Sequence, residues 1–248
     1  MPGVTALGVH WDVAPDADAM AERAASWLVG KALEAAEVFR LCLSGGSTPE
    51  ALYRKLAAPP FRDRFPWSRT HVFWGDERFV PTDSPLSNYR MARESLLAHV
   101  PVAPGAVHPI PTAHDSPAKA ADAYERLLET EYGSDSLDPA RPLFDVMLLG
   151  LGTDGHTASL FPDAKVALAE RERWVVPVIG VKAEPRITLT YPALESSRHV
   201  AFLVSGADKA PILARLADGD PALPAARVKP AGDLWIFTDA AARGLHDR

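Results

Sequence analysis

The chain has 248 residues, 47% hydrophobic and 23% charged, a globular composition with enough length to bury a sizeable core. Its formal net charge of −6 excludes a broad basic field for nucleic acid or an anionic membrane, so an anionic ligand must be held by a local cluster of positive groups. The only cysteine, Cys42, lies in an apolar run, which excludes a disulfide framework and a thiol metal cluster and fits a reducing compartment. No apolar run approaches the roughly 18 residues of a membrane span, and the N-terminus lacks a basic start followed by an apolar stretch. A cytoplasmic protein with a small-molecule partner, without nucleic-acid or membrane partners, is expected.

In chain order, residues 8–13 read as a short strand and Pro15 to Glu37 as a packing helix, with apolar positions at Met20, Ala24, Trp27, Leu28 and Ala32. Val38 to Leu43 is a strand. Ser44-Gly45-Gly46-Ser47-Thr48-Pro49-Glu50 then turns into an amphipathic helix reaching about Ala57, for which Thr48 suits the N-cap, Pro49 the first helical position and Glu50 the first turn. Residues 70–75 form the next strand and deliver Asp76-Glu77-Arg78 at its end. A loop with Pro81 and Pro85 leads to a helix through Leu97. The five prolines of 100–117 mark an irregular connection, and Pro117 to about Tyr132 is helical.

Phe144 to Gly150 is an apolar run with no helical stripe, which reads as a strand buried on both faces of a parallel sheet. Beyond it come strands at Trp174–Val181 and Ile187–Thr190 around a charged segment, a strand at Val200–Val204 and a helix from Ala207 to Leu216. A strand at Leu234–Phe237 and a short terminal helix close the pattern. Alternation without a break in composition predicts one α/β domain over residues 1–248 with a mostly parallel sheet.

Three strands therefore end in polar clusters: Ser44 to Thr48, Asp76 to Arg78, and Thr153 to His156. In a parallel sheet these ends share one rim, where such sheets bind ligands. The Gly45-Gly46 turn offers backbone N–H groups, the hydroxyls of Ser44, Ser47 and Thr48, and a helix N-terminus, a set suited to phosphate; an ordinary strand-to-helix turn has the same letters. It lacks the lysine of a nucleotide-binding loop. Asp76-Glu77-Arg78 reads either as a solvated charge run or as a means of aiming Arg78 at phosphate or at charge developing on a carbonyl oxygen.

Gly150-Leu151-Gly152-Thr153-Asp154-Gly155 matches the dinucleotide fingerprint by letter, but Pro162 limits any helix there and no acidic residue ends a following strand. There is no G-x-S-x-G elbow for a serine hydrolase. Asp154 and His156 are too few for a metal, and the other histidines show no zinc spacing, so no metal is expected. What remains is His156 as a general base acting on water, since an imidazole ordinarily titrates near about 6.5, with Asp154 orienting it or stabilising a turn.

These motifs together resemble the 6-phosphogluconolactonases. The resemblance rests on Leu43 to Pro49, on Trp74 to Arg78 with Ser87-Asn88-Tyr89-Arg90, on the Gly150–Pro162 loop and on Arg186 to Thr190, in that order over nearly the whole chain. It implies a Rossmann-like, doubly wound, mostly parallel sheet with helices on both faces, no organic cofactor, and hydrolysis of 6-phospho-D-glucono-1,5-lactone. By position, His156 would activate water with support from Asp154. Arg78, Asp76 and the Ser44, Gly45, Gly46, Ser47, Thr48 loop would hold substrate, and Lys182 and Arg186 would add positive charge. Related glucosamine-6-phosphate deaminases place a carboxylate five residues after the histidine; here that position is Phe161, which favours hydrolysis over deamination or isomerisation. A sugar-phosphate sensor needing no His156 is the third reading.

Overall fold

The computed structural model describes residues 8–245. Residues 1–7, on which part of the leader reading rests, and 246–248 lie outside the described residues.

Strand β1 (Val9–Ala14) leads to α1 (Ala17–Glu34), whose first turn is closed by Asp16 accepting the N–H of Ala19 at 2.8 Å. Then follow β2 (Phe39–Leu43), α2 (Ser47–Leu56), α3 (Phe61–Arg64), β3 (Thr70–Trp74), β4 (Asp76–Arg78) and α4 (Asn88–Ser95). The two-residue β5 (Val107–His108) precedes α5 (Pro117–Tyr132), β6 (Phe144–Gly150) and α6 (Lys165–Ala169). The chain continues through β7 (Val175–Val178), β8 (Arg186–Leu189), α7 (Tyr191–Glu195), β9 (Ser197–Val204), α8 (Ala210–Ala217) and β10 (Asp233–Asp239). No helix among the described residues is long and apolar enough to cross a membrane.

Among the described residues, seven strands form one parallel sheet in the order β1-β10-β9-β6-β2-β3-β5. The connections step one way from β1 through β2 and β3 to β5, and the other way from β6 through β9 to β10. Right-handed crossovers therefore place α1, α2 and α4 on one face and α5 and α8 on the other, and α1 packs on α2 as α2 does on α4. This is the Rossmann-like, doubly wound arrangement. β6 lies at its centre, with Val146, Met147, Leu148 and Leu149 buried, each side chain contributing about 1.5–3 kcal/mol. The direction of winding reverses between β2 and β6, so the two loops leaving their carboxyl ends part and open a crevice.

Four expectations are corrected. A second, three-stranded antiparallel sheet, β4-β8-β7, exists beside the parallel one, so the segments at Trp174–Val181 and Ile187–Thr190 form a hairpin. The chain crosses between the sheets at Gly75, whose N–H donates to Leu43 O at 3.0 Å while its carbonyl accepts from Leu189 N at 2.8 Å. Within the proline-rich connection, Val107 and His108 pair with Val72 and Phe73 as an edge strand. Helix α2 begins at Ser47, and its N-cap is Gly46 at φ +107°, not Thr48, because only glycine takes that backbone turn without strain. Residues 240–244 form turns closed on Asp239, not a helix.

Asp76-Glu77-Arg78 is not a solvated run: Asp76 and Glu77 are buried, at 6% and 2% exposure. Glu77 Oε1 accepts the backbone N–H of Arg78 at 2.7 Å and of Asn88 at 2.8 Å, while Oε2 accepts Tyr89 N at 2.8 Å and the Ser87 hydroxyl at 3.0 Å. Burial pushes its carboxyl upward, and these bonds pull the other way. The first turn of α4 thus hangs from a side chain of the second sheet. Replacing Glu77 by alanine strands the buried N–H groups of Asn88 and Tyr89 and is expected to cost about 3 kcal/mol in urea unfolding, whereas the exposed Glu94→Ala should change stability by less than about 1 kcal/mol.

Candidate active site

A cleft of about 240 Å³ opens at the carboxyl ends of β2, β6 and β9, in the crevice where the winding reverses. From β2 comes the Ser44–Gly46 turn. The phenol of Tyr53, on α2, clamps it by accepting Ser44 N at 2.9 Å and donating to Ser44 O at 2.8 Å. The turn faces the first residues of α2, whose leading N–H groups have no partner within the helix. Thr48 Oγ1 lies 3.1 Å from Ser205 Oγ, which joins the end of β2 to the end of β9. A Cβ at Gly45 would fall 2.0 Å from Asn88 Oδ1, so glycine there allows the Asn88 amide to pack on the turn.

Asn88 then orients the cations. Its Nδ2 donates to Asp76 O at 2.9 Å, and its Oδ1 accepts from Arg78 Nη1 at 2.8 Å; the same Nη1 donates to Leu86 O at 2.8 Å. Arg78 stands directly across the antiparallel ladder from Arg186. Like charges paired this way repel unless an anion lies between them. Arg186 Nε is buried with no hydrogen-bond partner among the described residues. Burial holds its guanidinium below the ordinary arginine value, with nearby Asp76 pulling it back up and Arg78 pushing it further down. The Asp76 carboxylate is tied by the Ser159 hydroxyl at 2.6 Å, which fixes the Gly-rich loop to the second sheet.

That loop, after β6, carries the titratable pair. Asp154 Oδ1 accepts His156 Nδ1–H at 2.5 Å and His156 N–H at 3.1 Å, leaving Nε2 as the basic nitrogen of the ring. Partial burial opposes the charge on Asp154, but the hydrogen bonds from His156 and the charges of His156 and Lys182 outweigh it and hold its carboxyl below the usual value. A Cβ at Gly152 would lie 2.0 Å from His156 Nδ1, so the pair requires glycine at that position. The His156 ring rests on buried Phe161, ring centroids 4.5 Å apart. Ala158, lining the cleft beside it, holds φ +46°, a left-handed conformation unusual for a residue with a side chain.

Ser44, Gly45, Gly46, Ser47, Thr48, Asp76, Arg78, His156 and Arg186 all line this one cleft. Asp154 stands behind His156. Lys182 stands behind Asp154, its Nζ 3.8 Å from Asp154 Oδ2 and 4.8 Å over the Phe161 ring, outside the cleft lining. Three lining residues with polar side chains escaped the sequence reading as site residues, Asn88, Ser205 and Lys209. Lys209 follows the end of β9, so the rule that found the other three clusters would have found it too.

A family model described as glucosamine-6-phosphate isomerases/6-phosphogluconolactonase matches residues 15–236. The chain is 41% identical over 238 residues to a protein of Nostoc sp. named 6-phosphogluconolactonase, covering 93% of this chain and 95% of that one. A protein of the same name from Mycobacterium tuberculosis is 42% identical over 247 residues, covering 94% and 97%. Among solved structures, the 6-phosphogluconolactonase of Trypanosoma brucei superposes with a TM-score of 0.82 at 30% identity, over 97% of this chain and all of that one. A monomeric glucosamine-6-phosphate deaminase, at 20% identity and a TM-score of 0.78, shares the fold. The match of sequence and of fold over nearly the whole length means that the chain belongs to the glucosamine-6-phosphate isomerase/6-phosphogluconolactonase family.

Proposed function

We infer that this chain hydrolyses 6-phospho-D-glucono-1,5-lactone to 6-phospho-D-gluconate, the lactone step of the oxidative pentose phosphate pathway. Relatives named 6-phosphogluconolactonase at 41% and 42% identity over most of both chains support the reaction. The observation that carries the mechanism is the Asp154–His156 pair at 2.5 Å on a cleft that also presents Arg78, Arg186 and Lys209.

Asp154 holds the Nδ1 proton, so His156 Nε2 takes a proton from water as its oxygen attacks the lactone carbonyl. Negative charge grows on the carbonyl oxygen in a cleft rich in fixed donors. Collapse of the tetrahedral adduct breaks the bond to the ring oxygen, and the imidazolium returns the proton to that oxygen. Atoms balance as lactone plus water gives acid, with no covalent enzyme intermediate. Arg78, Arg186, Lys209 and the first turn of α2 serve the phosphate and the oxyanion. Lys182 acts through Asp154, favouring its carboxylate form. A cytoplasmic setting belongs to the same proposal, supported by the single, buried thiol of Cys42.

Deamination or isomerisation is disfavoured because Phe161, an apolar ring packed under His156, occupies the place from which a carboxylate would act. A sensor would tolerate loss of the imidazole.

The deciding experiment follows the disappearance of freshly generated lactone by coupled oxidation of 6-phosphogluconate, corrected for spontaneous opening. Wild type is expected to accelerate it, and folded His156→Ala to lose about a hundredfold or more of that acceleration; full activity in the variant would remove His156 from the mechanism. Gly152→Ala should lower kcat by about a hundredfold with KM nearly unchanged, since its methyl displaces the imidazole and leaves the cations in place. Lys209→Ala should raise KM by about tenfold, the loss of one charged contact to the substrate.

A further inference from the structure

At the opposite end of β3 from the cleft, three side chains from distant parts of the chain converge. His108 Nε2 lies 3.0 Å from His71 Nδ1, His71 Nδ1 lies 3.4 Å from Glu131 Oε2, and His108 Nε2 lies 3.8 Å from that same oxygen. They come from β5, β3 and the last turn of α5. Zinc–nitrogen and zinc–oxygen bonds of about 2.0–2.2 Å set the ligand atoms of a tetrahedral site about 3.3–3.6 Å apart. The three separations bracket that edge length. Two imidazole nitrogens and one carboxylate oxygen are also a donor set that zinc accepts, with a fourth position left for water.

We propose that His71 Nδ1, His108 Nε2 and Glu131 Oε2 form a binding site for a divalent transition-metal ion, with zinc as the best-fitting occupant. The His108 ring is held for this by stacking on Phe73, centroids 4.6 Å apart and planes 12° apart. The His108 side chain is 8% exposed while those of His71 and Glu131 are 28% and 29% exposed, so the donors are ordered but an ion still has a path in. Coordination needs both rings to carry their proton on the other nitrogen, so the proton now shared between His71 Nδ1 and His108 Nε2 moves to the far nitrogen of the ring that donates it, and both imidazoles stay neutral. Arg40 approaches from β2 and donates from Nη2 to the main-chain carbonyl of Glu131 at 3.2 Å; its charge tempers the affinity for a cation.

The ion would serve as a tie. β5 is an edge strand with two paired residues, set within the proline-rich connection. Cross-linking β3, β5 and α5 fastens that edge, and binding to the native state alone raises stability by mass action. The chemistry of the cleft is untouched, so the tie is separable from the proposed hydrolysis.

The test is titration of chelator-stripped protein with Co²⁺, read by its visible d–d absorption, followed by displacement with Zn²⁺. One equivalent should give intense bands typical of tetrahedral coordination, and Zn²⁺ should abolish them and raise the melting temperature. His71→Ala and Glu131→Gln, each checked for native circular dichroism, should weaken binding by about a hundredfold or more while lactone hydrolysis stays at the wild-type rate. Asp154→Asn should bind Co²⁺ as wild type does, which separates this site from the cleft. No d–d bands at excess Co²⁺, or binding undiminished in both ligand variants, overturns the proposal whether or not the protein proves to be a lactonase.

Discussion

A single buried carboxylate, Glu77, sets the geometry on which the cleft depends. Its two oxygens collect donors from the strand that carries it and from the first turn of α4, so the second sheet and that helix share one anchor. Asn88 is the first residue of the turn so anchored. Its amide then settles two further matters, the approach to Gly45 and the direction of Arg78. Burying a charge is expensive unless its lone pairs are used, and two of the four donors here are the backbone N–H groups of Asn88 and Tyr89, which would otherwise themselves be orphaned at a helix start. The cost of one group offsets the cost of the other.

The parallel sheet imposes the remaining order. Because winding reverses between β2 and β6, two glycine-rich loops leave adjacent strands in opposite directions and open a space between them. Gly45 and Gly152 mark the places where the walls come closest to functional groups, the Asn88 amide in one case and the His156 ring in the other. The second sheet closes the crevice from one side, bringing Arg78 and Arg186 to it on paired strands.

Much of this was legible in the sequence where the signal is local. The apolar run into Gly150, the glycine turn after Leu43 and the Asp154–His156 spacing each report on their own few residues, and they predict the strands, the rim and the titratable pair. What was illegible depends on contacts between distant residues. Trp174–Val181 and Ile187–Thr190 read as strands, but nothing in their letters says that they turn back on each other and leave the main sheet. Lys182 and Arg186 look equivalent four residues apart, yet the register of β8 sends Arg186 into the cleft while Lys182 stays in the hairpin behind Asp154. Asn88 belongs to a recognisable motif, but its task is fixed by Gly45. His71, His108 and Glu131 show no spacing rule because three separate elements supply them.

The confrontation of Arg78 with Arg186 has a consequence for turnover. Hydrolysis converts a neutral ester into an acid that is ionised at neutral pH, so the product carries one more negative charge than the substrate. On the proposed mechanism, a cleft lined by two arginines and a lysine attracts the product more strongly than the lactone. Asp154, exposed behind His156, and Asp76, buried in the cleft lining, are the carboxyl groups that oppose this preference. On that mechanism, emptying the cleft for the next molecule depends on the balance among these five groups.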